Sequence, residues 1–295
     1  MKLHRYLVPA LSLLVAQTSY ATLIYQQNFE SLTAGAINNA ASANDLQGQG
    51  GFTAPVTTDV INTGLSYNSG GVSVSGGSKG GYATQNGASA YMFSNTMTAQ
   101  TGDVYFSLVW SWTGSDAPTE TFAFLISGQT TLPGTPTLQS AAGVRINNNG
   151  GAGGSSPNNV NIHARNFDSS ATALTTTGPT ANTQGTANFL VGKLSKSGGN
   201  GGAYDQISIW VNPTSATEGA ATLTASQSIT ATSVDKFYIW SAANSSAAQV
   251  FNFDNILIGT TYADVVTAAV PEPSTYAAFA GVGVLGLAAL RRRRN

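Results

Sequence analysis

Between Val104 and Trp112 the side chains alternate with a period of two. Phe106, Leu108, Trp110 and Trp112 share one side of an extended chain, and Ser107 and Ser111 share the other. The same period returns in Thr121–Ser127, where Phe122, Phe124 and Ile126 line up. It returns again in Gln206–Asn212, with Ile207, Ile209 and Val211 on one face and Trp210 opposite, and further strands are predicted over Lys236–Trp240 and Val250–Ile258. Loops rich in Gly, Asn, Ser and Pro separate these runs, as in Asn147–Asn159 and Ser195–Ala203. No stretch before the C-terminal tail sustains an apolar period of 3.6, and no internal repeat is evident. Many short strands between turn signals predict an all-β antiparallel sandwich or barrel.

The 295 residues leave a body of about 250 between two distinctive ends, enough to bury a core without covalent staples. The chain has no cysteine, so export is expected without the disulfides on which small secreted domains rely. Its low content of charged residues, 8%, argues against a cytosolic enzyme. The body holds six basic residues (Lys79, Arg145, Arg165, Lys193, Lys196 and Lys236) against twelve acids. Such a mildly acidic surface excludes a nucleic-acid partner.

Both ends read as signals. Lys2, His4 and Arg5 precede an apolar run, Leu7–Ala16, and Ser19-Tyr20-Ala21 supplies small residues where a signal peptidase reads them. Residues 1–21 are therefore expected to be a secretory leader cleaved after Ala21, and residues 22–267 the exported domain. In residues 268–295, Pro271 and Pro273 hold the chain extended around Glu272. Residues 276–290 carry no charge and are predicted to form a transmembrane helix of about 22 Å, short for a hydrocarbon core of about 30 Å. Arg291, Arg292, Arg293 and Arg294 follow at once and should stay cytoplasmic, placing the body outside.

Two resemblances build on these residues. Val270-Pro271-Glu272-Pro273-Ser274, the Gly-rich apolar span and the terminal arginines closely resemble the PEP-CTERM sorting signal of Gram-negative bacteria. That resemblance implies processing near Pro271-Glu272-Pro273 by an exosortase in the inner membrane. It also implies association with the cell surface or an exopolysaccharide matrix. Phe189–Lys193, Trp210-Val211-Asn212-Pro213 and Phe253–Thr261 resemble concanavalin A-like (laminin-G, jelly-roll) domains. Tyr25–Glu30 fits the first strand of such a sandwich, which pairs with the last. The implied fold is an antiparallel jelly roll.

The sequence holds no complete catalytic pattern. Retaining glycosidases need two carboxylates about 5 Å apart, and Glu30, Glu120 and Glu218 stand in unrelated contexts, with Asp116 near Glu120 in a predicted loop. The single body histidine, His163, cannot build a multi-histidine metal site. Gly76–Gly80 fits Gly-x-Ser-x-Gly without the strand-turn-helix context, and Gly281–Gly286 fits a dinucleotide pattern inside the apolar tail. Asp205, Asp254 and Asp264, with Asn255, are candidate ligands for a structural Ca²⁺, weighed against turn hydrogen bonding; no other cofactor is expected. Trp110 and Trp112 are expected in the core. Trp210 is the tryptophan expected to reach a sugar, unless both faces of its strand are covered. The expected function is a non-catalytic envelope or matrix protein, with a carbohydrate-binding module and a glycan hydrolase or lyase as rivals.

Overall fold

The computed structural model describes residues 23–30, 60–85, 90–114, 121–128, 141–148, 160–167, 176–177, 185–226, 229, 231–242 and 249–267. The leader with Ala21, the sorting segment with its predicted transmembrane helix, Asp116 and Glu120 lie outside them. Within them the strands are β1 (Leu23–Gln27), β2 (Val60–Asn62), β3 (Tyr67–Ser69), β4 (Val72–Val74), β5 (Gly80–Gln85), β6 (Ala90–Gln100), β7 (Val104–Gly114) and β8 (Thr121–Ser127). They continue with β9 (Ala141–Asn148), β10 (Val160–Phe167), β11 (Thr176–Thr177), β12 (Asn188–Ser195), β13 (Gln206–Val211), β14 (Leu223–Ser226), β15 (Val234–Ala242) and β16 (Gln249–Gly259). One short helix, α1 (Tyr262–Val266), follows.

All the strands but β3 and β4, which pair as a hairpin, form two antiparallel sheets, as in a jelly roll. One runs β14-β13-β12-β7-β16-β5-β2, with β1 also paired to β16, and the other runs β11-β10-β9-β8-β15-β6. The first strand does pair with the last: Tyr25 faces Ile258 and Gln27 faces Ile256. The alternation in β7 is the fold's main instruction. Phe106, Leu108, Trp110 and Trp112 have no exposure and enter the core between the sheets. There the rings of Phe106 and Phe124 lie 5.2 Å apart and those of Phe122 and Phe251 stack at 5.1 Å. Gly192 faces Phe106 across the β12–β7 pair, and a Cβ there would collide with the ring. The missing side chain is what lets Phe106 lie flat on the neighbouring strand.

The other face of the larger sheet is covered too. Tyr105, Val109, Phe189, Val191, Trp210 and Leu257 pack beneath α1 and the β3–β4 hairpin in a second apolar cluster. Ser107 needs a partner in this dry layer and donates its hydroxyl to the Val265 carbonyl at 2.7 Å. Thr261 and Asp264 close a capping box at the start of α1.

In β16 the inward residues change from odd to even numbers. Phe251 and Phe253 enter the core, and so do Ile256 and Ile258. The extra residue is absorbed at a bulge between Asp254 and Leu257, where Asn255 adopts a left-handed φ of 49°. Asparagine tolerates that conformation better than any residue but glycine.

Candidate functional site

Asp254 follows the inward Phe253 and so faces the outer side of the larger sheet, where two loops meet it. Its carboxylate accepts the Leu65 N–H at 2.9 Å and the Asn255 N–H at 2.6 Å. It has no exposure, and burial, with Glu30's charge adding to it, outweighs those two bonds and pushes its pKa up to about 8.

Glu30 arrives from the end of β1. Phe29 takes a left-handed φ of 62°, with its N–H donated to the Gln27 Oε1 at 2.8 Å and its ring edge-on to Phe253 at 5.6 Å. That turn aims Glu30 at the loop before β5. There Glu30 Oε1 accepts the N–H groups of Ser78 and Lys79, each at 2.7 Å, and Oε2 accepts the Ser78 hydroxyl at 2.9 Å. Lys79 Nζ donates to the Glu30 carbonyl at 3.0 Å. Gly76 and Gly77 lie between the two acids. A Cβ on Gly76 would strike the Leu65 carbonyl and the Asp254 Oδ2, and one on Gly77 the Glu30 carboxylate. The Gly-x-Ser-x-Gly match is thus no nucleophile elbow. Its glycines let backbone approach two carboxylates, and it leads into a strand.

The two carboxylates and the Leu65 carbonyl beside Gly76 are hard oxygens, the donor type that Ca²⁺ takes. Among the described residues no three acidic, histidine or cysteine side chains gather as a metal group, so such an ion would rest on Glu30, Asp254 and main-chain oxygen. The predicted trio is not assembled. Asp264 accepts the N–H groups of Thr260 and Thr261 at 3.0 and 2.8 Å as the cap of α1. Asp205 accepts the hydroxyl and N–H of Ser197, which hold its pKa below the usual range. Capping of α1 occupies Asp264, and the bond to Ser197 across the 197–205 loop occupies Asp205. Nothing within Tyr25–Glu30 signals that Glu30 meets the Gly76-Gly77 loop; it directly follows Phe29, three residues beyond the end of β1.

Trp210, expected to reach a sugar, is instead buried. It is 6% exposed, its ring 5.3 Å from Tyr262 in an edge-to-face pair and its Nε1 donating to the Gly219 carbonyl at 2.9 Å. Its strand is covered on both sides, so the indole has no open face for a sugar. Glu218 belongs to another cluster: it accepts the Tyr105 hydroxyl at 2.8 Å and lies 3.7 Å from Lys193, which also pairs with Asp103 at 3.0 Å. His163 sits on β10, in register with Arg145 of β9.

Comparison with known proteins adds the decisive observation about the tail. Residues 269–294 match the PEP-CTERM protein-sorting motif. The chain ends in a PEP-CTERM tail. The match spans Val270–Ser274 and Arg291–Arg294, and the PEP-CTERM tail marks an exported protein sorted through an exosortase. No curated protein matches the sequence. Among solved structures the chain is similar to the globular domain of T. cruzi calreticulin (11% identity, 92% of this chain and 100% of that one, TM-score 0.47). It is also similar to lectin II from Ulex europaeus (9%, 80% and 97%, TM-score 0.44) and to an endo-β-1,4-glucuronan lyase from Trichoderma reesei (16%, 75% and 96%, TM-score 0.40).

Proposed function

We propose that this chain is a non-catalytic protein of the bacterial envelope or exopolysaccharide matrix, delivered by its two terminal signals. The PEP-CTERM tail at residues 269–294 carries this reading. A signal peptidase removes residues 1–21 after Ala21. Residues 276–290 halt in the inner membrane, and Arg291–Arg294 stay on the cytoplasmic side, because each arginine costs about 2.5–3.5 kcal/mol at the bilayer centre. An exosortase then processes the chain near Pro271-Glu272-Pro273. Fractionation of a native host, with mass spectrometry of the mature C-terminus, tests this. Recovery of intact Arg291–Arg294 on surface protein would leave only a plain membrane anchor.

A non-catalytic body is supported by the occupations of its acids: Glu30 braces the Ser78–Lys79 loop and Glu218 is engaged by Tyr105 and Lys193. Replacing either by Gln should leave any glycan interaction intact; lost turnover with the fold retained would reveal an enzyme. A glycan array on residues 22–267 decides whether the body is a carbohydrate-binding module. The buried Asp254 beside Glu30 supports one structural Ca²⁺ bridging β1, the Gly76-Gly77 loop and β16.

A further inference from the structure

The loop that follows β12 runs Gly198-Gly199-Asn200-Gly201-Gly202. A Cβ added at Gly198, Gly199 or Gly201 would meet no atom within 4 Å, and Gly199 takes a left-handed φ of 77°. The loop's own main-chain bonds run from the Gly199 N–H to the Lys196 carbonyl at 3.3 Å and from the Gly202 N–H to the Gly199 carbonyl at 3.1 Å. Asn200 and Gly201, between those donors, are exposed. Among the described residues neither the Asn200 side-chain amide nor the Gly201 N–H has a hydrogen-bond partner.

A side-chain amide is attacked most easily by the next main-chain nitrogen when that residue is glycine, which has no Cβ to hinder the approach. Among the described residues Asn200-Gly201 is the one Asn-Gly pair. Other asparagines are shielded. Asn212 precedes Pro213, which has no N–H. Asn255 precedes the fully buried Ile256, and its amide donates to the Leu65 carbonyl at 3.5 Å.

A fixed cation stands beside the pair. Lys196 Nζ donates to the Asn200 main-chain carbonyl at 2.9 Å and to the Thr232 carbonyl at 2.7 Å. It also lies 4.6 Å from the ring of Tyr204, which is buried with its hydroxyl donating to the Gln100 and Gly102 carbonyls at 3.1 and 2.7 Å.

We propose that Asn200 is a self-modification site, converted through a succinimide to isoaspartate, with Lys196 as the positioning residue that selects this product. Gly201 N gives its proton to solvent and bonds to Asn200 Cγ; the bond from Cγ to the side-chain nitrogen breaks, and ammonia leaves. Water then opens the ring at one of two carbonyl carbons. Lys196 donates to the oxygen of the former main-chain carbonyl, so charge developing there is stabilised and water adds at that carbon. Its bond to Gly201 N breaks, the proton returns to that nitrogen, and the chain now passes through Cβ and Cγ. The oxygen that Lys196 already holds becomes part of a free carboxylate, which strengthens the bond to the ammonium.

The full chain, purified in detergent and held at mildly alkaline pH, tests this. Cleavage after lysine yields Ser197–Lys236 from the parent and Leu194–Lys236 from a Lys196→Gln variant. Each peptide holds only Asn200 and Asn212, and Asn212 cannot cyclise, so a gain in mass from amide to acid reports Asn200. Electron-transfer fragmentation separates isoaspartate from aspartate. Asn200 should convert in the folded chain, with an isoaspartate share above that of the urea-denatured chain. Gly201→Ala, which has open space and no left-handed φ to satisfy, should slow conversion several-fold. Lys196→Gln should lower the isoaspartate share to the denatured value while conversion continues, and Lys196→Arg should restore it. Melting curves show that each variant is folded. An Asn200 that stays intact in the folded parent while the denatured chain converts overturns the site. A product ratio indifferent to Lys196 in folded variants overturns the role of the lysine.

Discussion

Asp254 sits between two opposing influences, burial that favours its neutral form and two N–H donors that favour its charge. Burial prevails, so without a cation the group is largely protonated near neutral pH. Asp254→Asn should then melt close to the parent in chelator. With excess Ca²⁺ the parent should gain about 2.7 kcal/mol at a hundredfold excess over Kd, and the variant nothing. Thermal melts with and without Ca²⁺ check this, and a parent insensitive to Ca²⁺ refutes the ion. Trp210 gives the second residue-scale test. Trp210→Phe keeps the ring against Tyr262 and loses the bond to Gly219, so stability should fall by about 1 kcal/mol. Glycan binding, if an array detects any, should not change, since the indole is covered.

At the scale of elements, β16 depends on one irregularity. Removing Asn255 would restore strict alternation with Phe251, Phe253, Ile256 and Ile258 still on the core face, so the loss should be confined to the bulge around Asp254. The deletion should keep a cooperative melt at reduced stability, and Asn255→Gly, which accepts a φ of 49°, should fold with a cost below about 1 kcal/mol. Gly192 makes a similar demand in β12. Gly192→Ala forces a methyl into Phe106 and should cost about 1–3 kcal/mol in denaturant melts.

As a whole molecule, the body should fold as residues 22–267 with a β-type circular dichroism spectrum and a melt indifferent to reductant. Its tyrosines add a pH signature. Burial lifts Tyr204 and Tyr262 from 10.0 to about 12. A phenol whose pKa is higher folded than unfolded contributes stability that is complete below pH 10 and lost as pH rises through 12. Melting temperature should therefore drop between those limits, with tyrosinate absorbance at 295 nm rising together with unfolding. A tyrosinate signal that completes near pH 10 in still-folded protein would contradict the burial.

Local sequence was sufficient for whatever depends on spacing along the chain. Period two marked β7, β8, β13, β15 and β16, because successive side chains of a strand must point opposite ways. The PEP-CTERM tail was legible because it is linear: proline, an apolar run and arginines act on a bilayer in the order in which they are written. What depends on distant residues was decided by tertiary structure. Whether Trp210 faces water turns on α1 and the 213–221 loop lying over its strand, which no pattern within β13 records. The approach of Glu30 to Asp254, 224 residues apart, exists because β1 closes against β16 and both acids meet the Gly76-Gly77 loop. Alternation specifies the two faces of each strand, but only the packed sheets determine what covers them.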